Sequence, residues 1–434
     1  MQNSKSNNLK PLYQKLVFVL IGILIFRLGA HIPVPGVDFE KLADFFKTSG
    51  GSMISLFNMF SGGAFSKLTV FALGVMPYIS SSIIMQLFTV SVPMFQQIKK
   101  EGEIGRRKIT RYTRIGTLLI GLIQSFGVNK WLISQGLCID TTALNSFIVI
   151  LTITTGTMFL MWIGEQITEH GIGNGVSLII FSGIVSRLPG AIGQVIEQVH
   201  QGQLSGLLII LVSLVVLGIV YFIVFFELSQ RKIPITYAKQ SRVGSTSGQT
   251  HLPLKLNMSG VIPAIFASSI ILLPISLAGF FSHYNHFQWL SKVSYLLSPG
   301  QPLNILLYLV SIYFFSFFYT SLVFNPKETA DNLKKSGAII PGIRPGSPTA
   351  DYIDSVMERI TYIGATYLAL VILLPQWLML SWHMPFMFGG ASMLIIVVVL
   401  IDFINQIQSH LLTTKYDNFR KSKKDGKKNL GLLH

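Results

Sequence analysis

The chain contains a series of long apolar runs without charged residues, and these runs restrict the folds open to it. Residues 361–401 include no Asp, Glu, Lys or Arg across 41 positions, and Pro375 and Pro385 divide this stretch into two spans. A helix crosses a hydrocarbon core of roughly 30 Å with about 20 apolar residues. Further runs of this kind lie near 73–92, 115–133, 146–164, 206–226, 260–282 and 303–324, with weaker ones at 16–35 and 176–199. Because 50% of the 434 residues are hydrophobic and 12% are charged, the sequence predicts an all-α polytopic membrane protein with ten transmembrane helices.

The positions of Lys and Arg predict the orientation of these helices, because cytoplasmic loops of membrane proteins retain basic residues. With both termini on the cytoplasmic side, the cytoplasmic segments hold 27 of the 34 Lys and Arg residues and the outer loops hold 6. This orientation accounts for the net charge of +16 without a nucleic-acid ligand. The basic cytoplasmic face suits contact with anionic lipid or ribosomal RNA.

An eleven-residue stretch occurs twice in the sequence. Gly74–Ile84 and Gly260–Ile270 are identical at six of eleven positions without a gap. The predicted topology makes the two copies cross the bilayer in opposite directions, and inverted repeats in membrane proteins form pathways at the interface of their halves. A short match in an apolar background also arises by coincidence, so the repeat alone leaves both interpretations open.

Motifs for catalysis, nucleotide binding and metal binding are missing from the sequence. The nine His residues are scattered, and there is no P-loop lysine motif, no nucleophile elbow and no pair of His on one helix face. Gly171–Gly175 is glycine-rich but does not follow a predicted strand, which favours a tight turn between helices over a nucleotide-binding loop. The sequence therefore predicts a protein that is not an enzyme and that needs no cofactor or metal.

Ionisable residues are also missing from the middle of the predicted spans. Ion-coupled transporters place such groups near the midplane, because coupling needs a group that binds a cation or changes charge there. Glu165, Glu227 and Asp402 fall at predicted cytoplasmic ends, and Arg27 and Arg187 lie toward the outer side of their spans. This pattern favours a gated conduit over an ion-coupled solute transporter. A membrane scaffold without a conduit is a third alternative.

Residues 56–68 are apolar but too short to span a membrane, and Gly62 and Gly63 interrupt them. Irregular backbone at membrane depth is tolerated where it lines a cavity or is buried in protein. A mobile plug inside a pore is one interpretation of this segment. A re-entrant or outer-surface helix without a gating role is the other.

The repeated helices carry aliphatic residues beside small polar ones. Taken singly, Ile79, Ile83 and Ile265 are ordinary packing or lipid-facing residues. Small polar residues mark helix faces that meet other helices or a crevice, and those beside the isoleucines are Ser80, Ser81, Ser82, Ser268 and Ser269. A narrow apolar constriction seals a pore by dewetting, so the combination suits the lining of a closed pore.

Two cytoplasmic loops, 227–259 and 325–360, are long. The first contains Arg231 and Lys232, and the second contains Arg344 between Pro and Gly residues. Proline and glycine around one Arg make a stiff exposed tip, which presents a cation to a partner at a low cost in ordering. A solvated linker is the alternative interpretation.

A series of ordered motifs covers almost the whole chain: Phe57–Gly63, Met76–Ser80, Gly171–Gly175, Pro263–Ser269, Asn325–Gly337 and Gly342–Gly346. Through these motifs the chain resembles the SecY family, the channel subunits of the general secretory translocon. The resemblance implies two pseudo-symmetric inverted halves of five helices, 1–204 and 205–405, followed by a basic cytoplasmic tail, 406–434. It also implies an hourglass pore in the bacterial inner membrane, through which unfolded preproteins cross, and a lateral gate that releases transmembrane segments into lipid between the second and seventh helices.

The resemblance also assigns site residues. The implied pore ring is Ile79, Ile83, Ile184, Ile265 and Ile395, and the implied plug includes Phe57, Asn58, Met59, Phe60, Ser61, Gly62, Gly63, Ala64 and Phe65. The lateral gate is expected at Ser81, Ser82, Gln86, Ser268 and Ser269. Contacts with a motor or ribosome are expected at Arg344, Arg231, Lys232 and Arg242.

The implied partners are the small membrane subunits SecE and SecG, the SecA ATPase, the ribosome, preprotein signal peptides and anionic lipids. Two positions depart from the family pattern. The segment 241–248 offers Arg242 where family members carry a basic cluster, which weakens the expected partner contacts there, and Arg187 stands where a small residue is common.

Overall fold

A computed structural model describes residues 10–48, 61–202, 206–237, 250–281, 292, 295–298, 301–382 and 389–430. The first part of the chain forms the helices α1 (Lys10–Gly29), α2 (Phe39–Thr48), α3 (Met76–Ser91), α4 (Pro93–Lys100), α5 (Glu103–Ser134), α6 (Ala143–His170), α7 (Gly175–Val185) and α8 (Leu188–His200). The second part forms α9 (Gly206–Leu228), β1 (Gln230–Tyr237), β2 (Thr250–Lys255), α10 (Ile262–Phe281), α11 (Pro302–Val323), α12 (Pro326–Lys335), β3 (Ala338–Ile339), α13 (Ser347–Trp382) and α14 (Gly390–Leu430).

A helix lies at the position of every span predicted from the sequence. Within the described residues, seven helical segments are long and apolar enough to cross a membrane, and the bent pair α3 and α4, with 94° between the two helices, makes an eighth if it is one span. The apolar part of α10, Ile262–Ala278, is shorter. The chain is thus a helical, multi-pass membrane protein, and the count of ten spans stays a prediction.

Of the two prolines expected to divide the last two spans, Pro375 does not mark a helix boundary, and Pro385 lies outside the described residues. Pro375 lies inside α13, and this helix continues to Trp382. The division between the last two spans therefore falls after Trp382. Pro274 likewise lies inside α10. Helices in membranes tolerate proline because neighbouring helices and local adjustments satisfy the backbone groups that it frees.

The chain separates into two compact units, and the first consists of Met1–Tyr78, Arg114–Leu188 and Val399–His434. In this unit α1 packs on α6 and α7, and α6 packs on α7. Glycine allows the close approach: a Cβ at Gly22 would lie 2.6 Å from Ile167 Cδ1, and one at Gly156 would lie 2.0 Å from Val70 O. Small residues at such contacts let membrane helices pack by van der Waals attraction.

The glycine-rich segment between α6 and α7 is a helix-capping turn, as the sequence predicted. Asn174 Oδ1 accepts hydrogen bonds from Val176 N at 3.1 Å and Ser177 N at 3.4 Å, which caps the start of α7. Thr168 Oγ1 on α6 accepts from Gly175 N at 2.9 Å. The first amides of a helix have no partner within the helix, so these side chains fix the angle at which α7 leaves α6.

The second unit consists of Ile79–Thr113 and Pro189–Val398. In it α11 packs on α10 and α13, and α12 packs on α13. The predicted loop 227–259 contains an antiparallel hairpin, β1 and β2, and β3 pairs with the other edge of β1. Ile233 and Leu254 of the hairpin are buried in one cluster with Ile340, Ile353 and Met357. The two long cytoplasmic loops predicted from the sequence therefore form a single packed subdomain with the start of α13.

Candidate functional site

The first copy of the repeat places two of its isoleucines and two of its serines on a buried part of α3. Ile79, Ile83 and Ser81 are buried, and Ser81 Oγ donates a hydrogen bond to Thr113 O at 2.8 Å. Ser82 and Gln86 are half-buried and contact each other, since Gln86 Nε2 donates to Ser82 Oγ at 3.2 Å. The expected gate residues on α3 therefore form two neighbouring polar contacts, one to α5 and one within the helix.

The second copy places Ile265, Ser268 and Ser269 on a buried face of α10. Ser269 Oγ donates to Ile265 O at 2.8 Å, and Ser268 Oγ donates to Ala264 O at 2.8 Å. The Ser268 hydroxyl also forms a hydrogen bond with the hydroxyl of Tyr308 on α11. Ser268 therefore contributes to the packing of α10 on α11, as small polar residues do where helices meet.

The two remaining expected ring residues lie on other helices. Ile184 is near the end of α7, and Ile395 is in the first turns of α14. All five isoleucines of the expected ring are at most 6% exposed. Ile184 belongs to the first compact unit and the other four to the second. Their convergence around one pore stays a prediction.

The described part of the expected plug is a series of turns buried in the first unit. Phe57, Asn58, Met59 and Phe60 lie outside the described residues, whereas Ser61, Gly62, Ala64 and Phe65 are buried and Gly63 is half-buried. Ser61 Oγ accepts from Phe65 N at 3.1 Å, which closes the first turn. The end of the segment is tied to the chain after α1, because Leu68 O accepts from Val34 N at 3.0 Å.

Two contacts hold this segment inside the first unit. A Cβ on Gly62, where φ is +66°, would lie 2.7 Å from Gly183 Cα on α7, so the two backbones touch. The Phe65 ring lies 6.3 Å from the Trp131 ring of α5, measured between centroids. The segment thus contacts the helix that carries Ile184, one residue after Gly183.

Three of the four expected partner contacts are exposed on the subdomain that the two long loops form. Arg344 is exposed in a tight turn whose backbone is held by Thr349 Oγ1, which donates to Arg344 O at 2.8 Å. Gly342 and Gly346 flank the residue with φ values of +83° and +111°, in the region that favours glycine. Arg231 and Lys232 are exposed on β1, and Arg242 lies outside the described residues.

Sequence reasoning missed two polar contacts between residues that are far apart in the sequence. Arg114 of α5 and Glu165 of α6 form an ion pair with 2.7 Å between Arg114 Nη2 and Glu165 Oε2. Glu227 at the end of α9 is buried and accepts a hydrogen bond from Asn257 Nδ2 at 2.6 Å. A single sequence gives no sign of either pair, because the partners are 51 and 30 residues apart. Within the described residues, no group of three or more His, Cys, Asp or Glu is placed to hold a metal ion.

Comparison with known proteins decides the family. The family model SecY matches residues 69–404. The chain belongs to the SecY family. It is 52% identical to the protein translocase subunit SecY of Escherichia coli strain K12 over 421 residues, which cover 96% of this chain and 95% of the relative.

Two solved structures share the fold. One is a SecY channel whose plug domain stabilises the closed state and maintains a membrane seal; it has a TM-score of 0.67, is 17% identical, and the match covers 93% of each chain. The other is Sec61 in the canine ribosome–channel complex of the endoplasmic reticulum, with a TM-score of 0.63, 16% identity and 93% of each chain covered. The chain therefore has the fold of these SecY and Sec61 structures.

Proposed function

We propose that this chain is the pore-forming subunit of a protein-conducting channel of the general secretory pathway. Unfolded preproteins cross the membrane through it, and hydrophobic segments leave it sideways into lipid. The observation that carries the proposal is 52% identity, over nearly the full length of both chains, to a protein translocase subunit. The family membership and the shared helix order support the same function.

The pore is sealed by an apolar ring and a plug. Five buried isoleucines on α3, α7, α10 and α14 supply the ring, and such a constriction excludes water and ions because it offers them no polar partner. The plug is Phe57–Phe65, and its turn at Gly62 lies against Gly183 of α7. The gate opens between α3 and α10, at Ser81, Ser82 and Gln86 on one side and Ser268 and Ser269 on the other. The halves 1–204 and 205–405 separate there, and 406–434 is a basic tail.

The channel has no catalytic activity and takes its energy from partners. The exposed Arg344 on its rigid turn, with Arg231 and Lys232 on β1, binds the SecA ATPase or the ribosome, because an exposed cation suits an anionic partner surface. SecE and SecG are the small membrane subunits of the complex. The chain lies in a bacterial inner membrane with both termini in the cytoplasm, and its basic loops contact anionic lipids.

Reconstitution tests this function. The chain is inserted into vesicles with SecE, and movement of a preprotein into the lumen is followed after addition of SecA and ATP. We expect protease-protected preprotein that depends on SecA and ATP. Uptake of a small solute driven by an ion gradient, without preprotein movement, would instead establish an ion-coupled transporter.

A further inference from the structure

A buried carboxylate lies where the β1–β2 hairpin joins the membrane-spanning helices. Glu227, one residue before the end of α9, is 7% exposed, and its Oε1 accepts the hydrogen bond from Asn257 Nδ2. Burial of a carboxylate is unfavourable unless hydrogen bonds replace its hydration, and a hydrogen bond to a charged group is stronger than a neutral one. The Glu227–Asn257 pair therefore holds the end of α9 to the segment that follows the hairpin.

Asn257 also organises the segment that leads into α10. Its Nδ2 donates a second hydrogen bond to Gly260 O at 3.0 Å, and its Oδ1 accepts one from Ser259 Oγ at 3.0 Å. Gly260 has a φ of +61°, which residues with a side chain rarely adopt, and α10 begins two residues later at Ile262. One buried amide thus fixes the backbone between the hairpin and α10.

Further contacts hold the base of the hairpin, one within the hairpin itself and others to α13. Leu256 N donates to Ser229 O at 3.0 Å, so the two strands are joined at their base. A Cβ on Gly364 of α13 would lie 3.0 Å from Leu256 O. One turn further along α13, the Tyr367 ring stacks on the Phe226 ring with 4.3 Å between centroids. The hairpin has little freedom to move without displacing the start of α10.

We propose that the Glu227–Asn257 pair is a positioning device that couples the hairpin to α10. A partner that binds Arg231 and Lys232 on the hairpin then shifts the helix that carries Ile265, which opens the pore ring and the gate. This inference rests on the proposed function, since it needs a cytoplasmic partner that drives opening. Without the pair, residues 257–261 change conformation when the hairpin moves, and α10 stays in place.

Variants of the pair separate coupling from folding. Asn257→Asp removes the amide donor and places a second carboxylate against Glu227, so the pair either repels or must take up a proton. The hydrogen bond to Gly260 O is lost as well. The double variant Glu227→Gln with Asn257→Asp restores one hydrogen bond, with donor and acceptor exchanged. Asn304→Asp is the matched control: Asn304 is also buried in the second unit, and its Nδ2 donates to Leu297 O at 2.6 Å, away from the hairpin.

The experiment uses the full chain with SecE in lipid nanodiscs and in vesicles, with SecA as the probe. Hydrogen exchange of the amides of 262–269 is compared with and without SecA, and SecA binding and preprotein translocation are measured in parallel. For Asn257→Asp we expect SecA affinity within about twofold of the unmodified chain, no exchange response in α10, and translocation slower by about tenfold, the factor for the loss of one buried charge-assisted hydrogen bond. The double variant regains part of the response, because the hydrogen bond with residue 227 is restored and the one to Gly260 O is not. Asn304→Asp keeps the full response. Glu227→Gln alone retains an acceptor of the same shape and gives an intermediate rate.

Three results overturn the coupling. They are a normal exchange response in Asn257→Asp, a double variant as defective as Asn257→Asp, and equal loss of response in Asn304→Asp, which would reduce the pair to a structural role. Glu227→Gln decides the matter if Asn257→Asp does not fold, because an unchanged response and rate in that variant contradicts the proposal. Failure of SecA binding and translocation in the unmodified chain contradicts the proposed function itself, and is therefore distinguished from failure of the coupling.

Discussion

Two adjacent glycines in the plug segment differ in what surrounds them. Gly62 and Gly63 both have positive φ, +66° and +88°, but a Cβ on Gly62 would meet Gly183 Cα at 2.7 Å, whereas a Cβ on Gly63 has nothing within 4 Å. Alanine at either position is strained by the positive φ, and Gly62→Ala adds a clash with the backbone of α7. We expect Gly62→Ala to raise the ion conductance of resting channels in planar bilayers, because the plug is displaced from α7. Gly63→Ala is the control, and equal conductance in the two variants would show that strain alone acts.

The buried isoleucines permit a similar comparison on one helix. Ile265 is an expected ring residue on α10, and Ile275 is equally buried on the same helix but outside the expected ring. Replacement by Gly removes a side chain of similar volume at both sites, and loss of a buried Ile side chain costs about 2–5 kcal/mol. We expect Ile265→Gly, and likewise Ile83→Gly, to raise ion leak, because water enters a constriction that has lost its apolar lining. If Ile275→Gly leaks as much, the leak reports destabilisation rather than a ring.

At the scale of elements, the turn that carries Arg344 has the clearest test. Thr349 and two glycines fix its backbone, so the charge of residue 344 changes without a change in the fold. Arg344→Glu makes the tip repulsive to an anionic partner surface, and we expect translocation to fall by at least about tenfold with normal membrane insertion. Lys335→Glu, an exposed change at the end of α12, is the control. Normal export by Arg344→Glu would remove this residue from the partner contact.

Sequence reasoning found the helices, because the length of an apolar run predicts them. It missed the strands, because they depend on which segments of the chain pair with each other. A helix lies at the position of every apolar run predicted as a span, because in lipid the backbone must satisfy its own hydrogen bonds. The sequence predicts a loop where the hairpin lies, although Ile233 and Ile235 alternate with exposed residues in β1. Pro234 lies in the same strand, and proline argues against a strand with partners on both edges, as β1 has. The burial of the ring isoleucines is predictable from the apolar residues around them in the sequence. The contacts of Ser268 with Tyr308 and of Gly62 with Gly183 are not, because they depend on which distant segments meet, and no local pattern in one sequence shows that.

For the whole molecule, the distribution of basic residues governs how the chain sits in the membrane. The predicted cytoplasmic segments hold 27 Lys and Arg residues and the outer loops hold 6. This difference predicts cytoplasmic termini and places the loop after α5 on the outer side. Because every span follows from the one before it, the side occupied by that loop fixes the side occupied by the hairpin and by Arg344. One accessible reporter residue in the loop is therefore enough to test the orientation of the entire chain.

Cys138, the one cysteine of the sequence, lies in this loop and is such a reporter. We expect a membrane-impermeant maleimide to label it from the outer side of intact cells and not from the cytoplasmic side of inverted vesicles. Burial raises the pKa of the Cys138 thiol, so the reactive thiolate forms at a higher pH than in an exposed cysteine, and labelling should be slow at neutral pH and faster at about pH 9. Cys138→Ser combined with Ser336→Cys moves the thiol to an exposed position after α12 and should reverse the sidedness. Labelling of Cys138 from the cytoplasmic side would invert the topology and place Arg344 where no cytoplasmic motor reaches it.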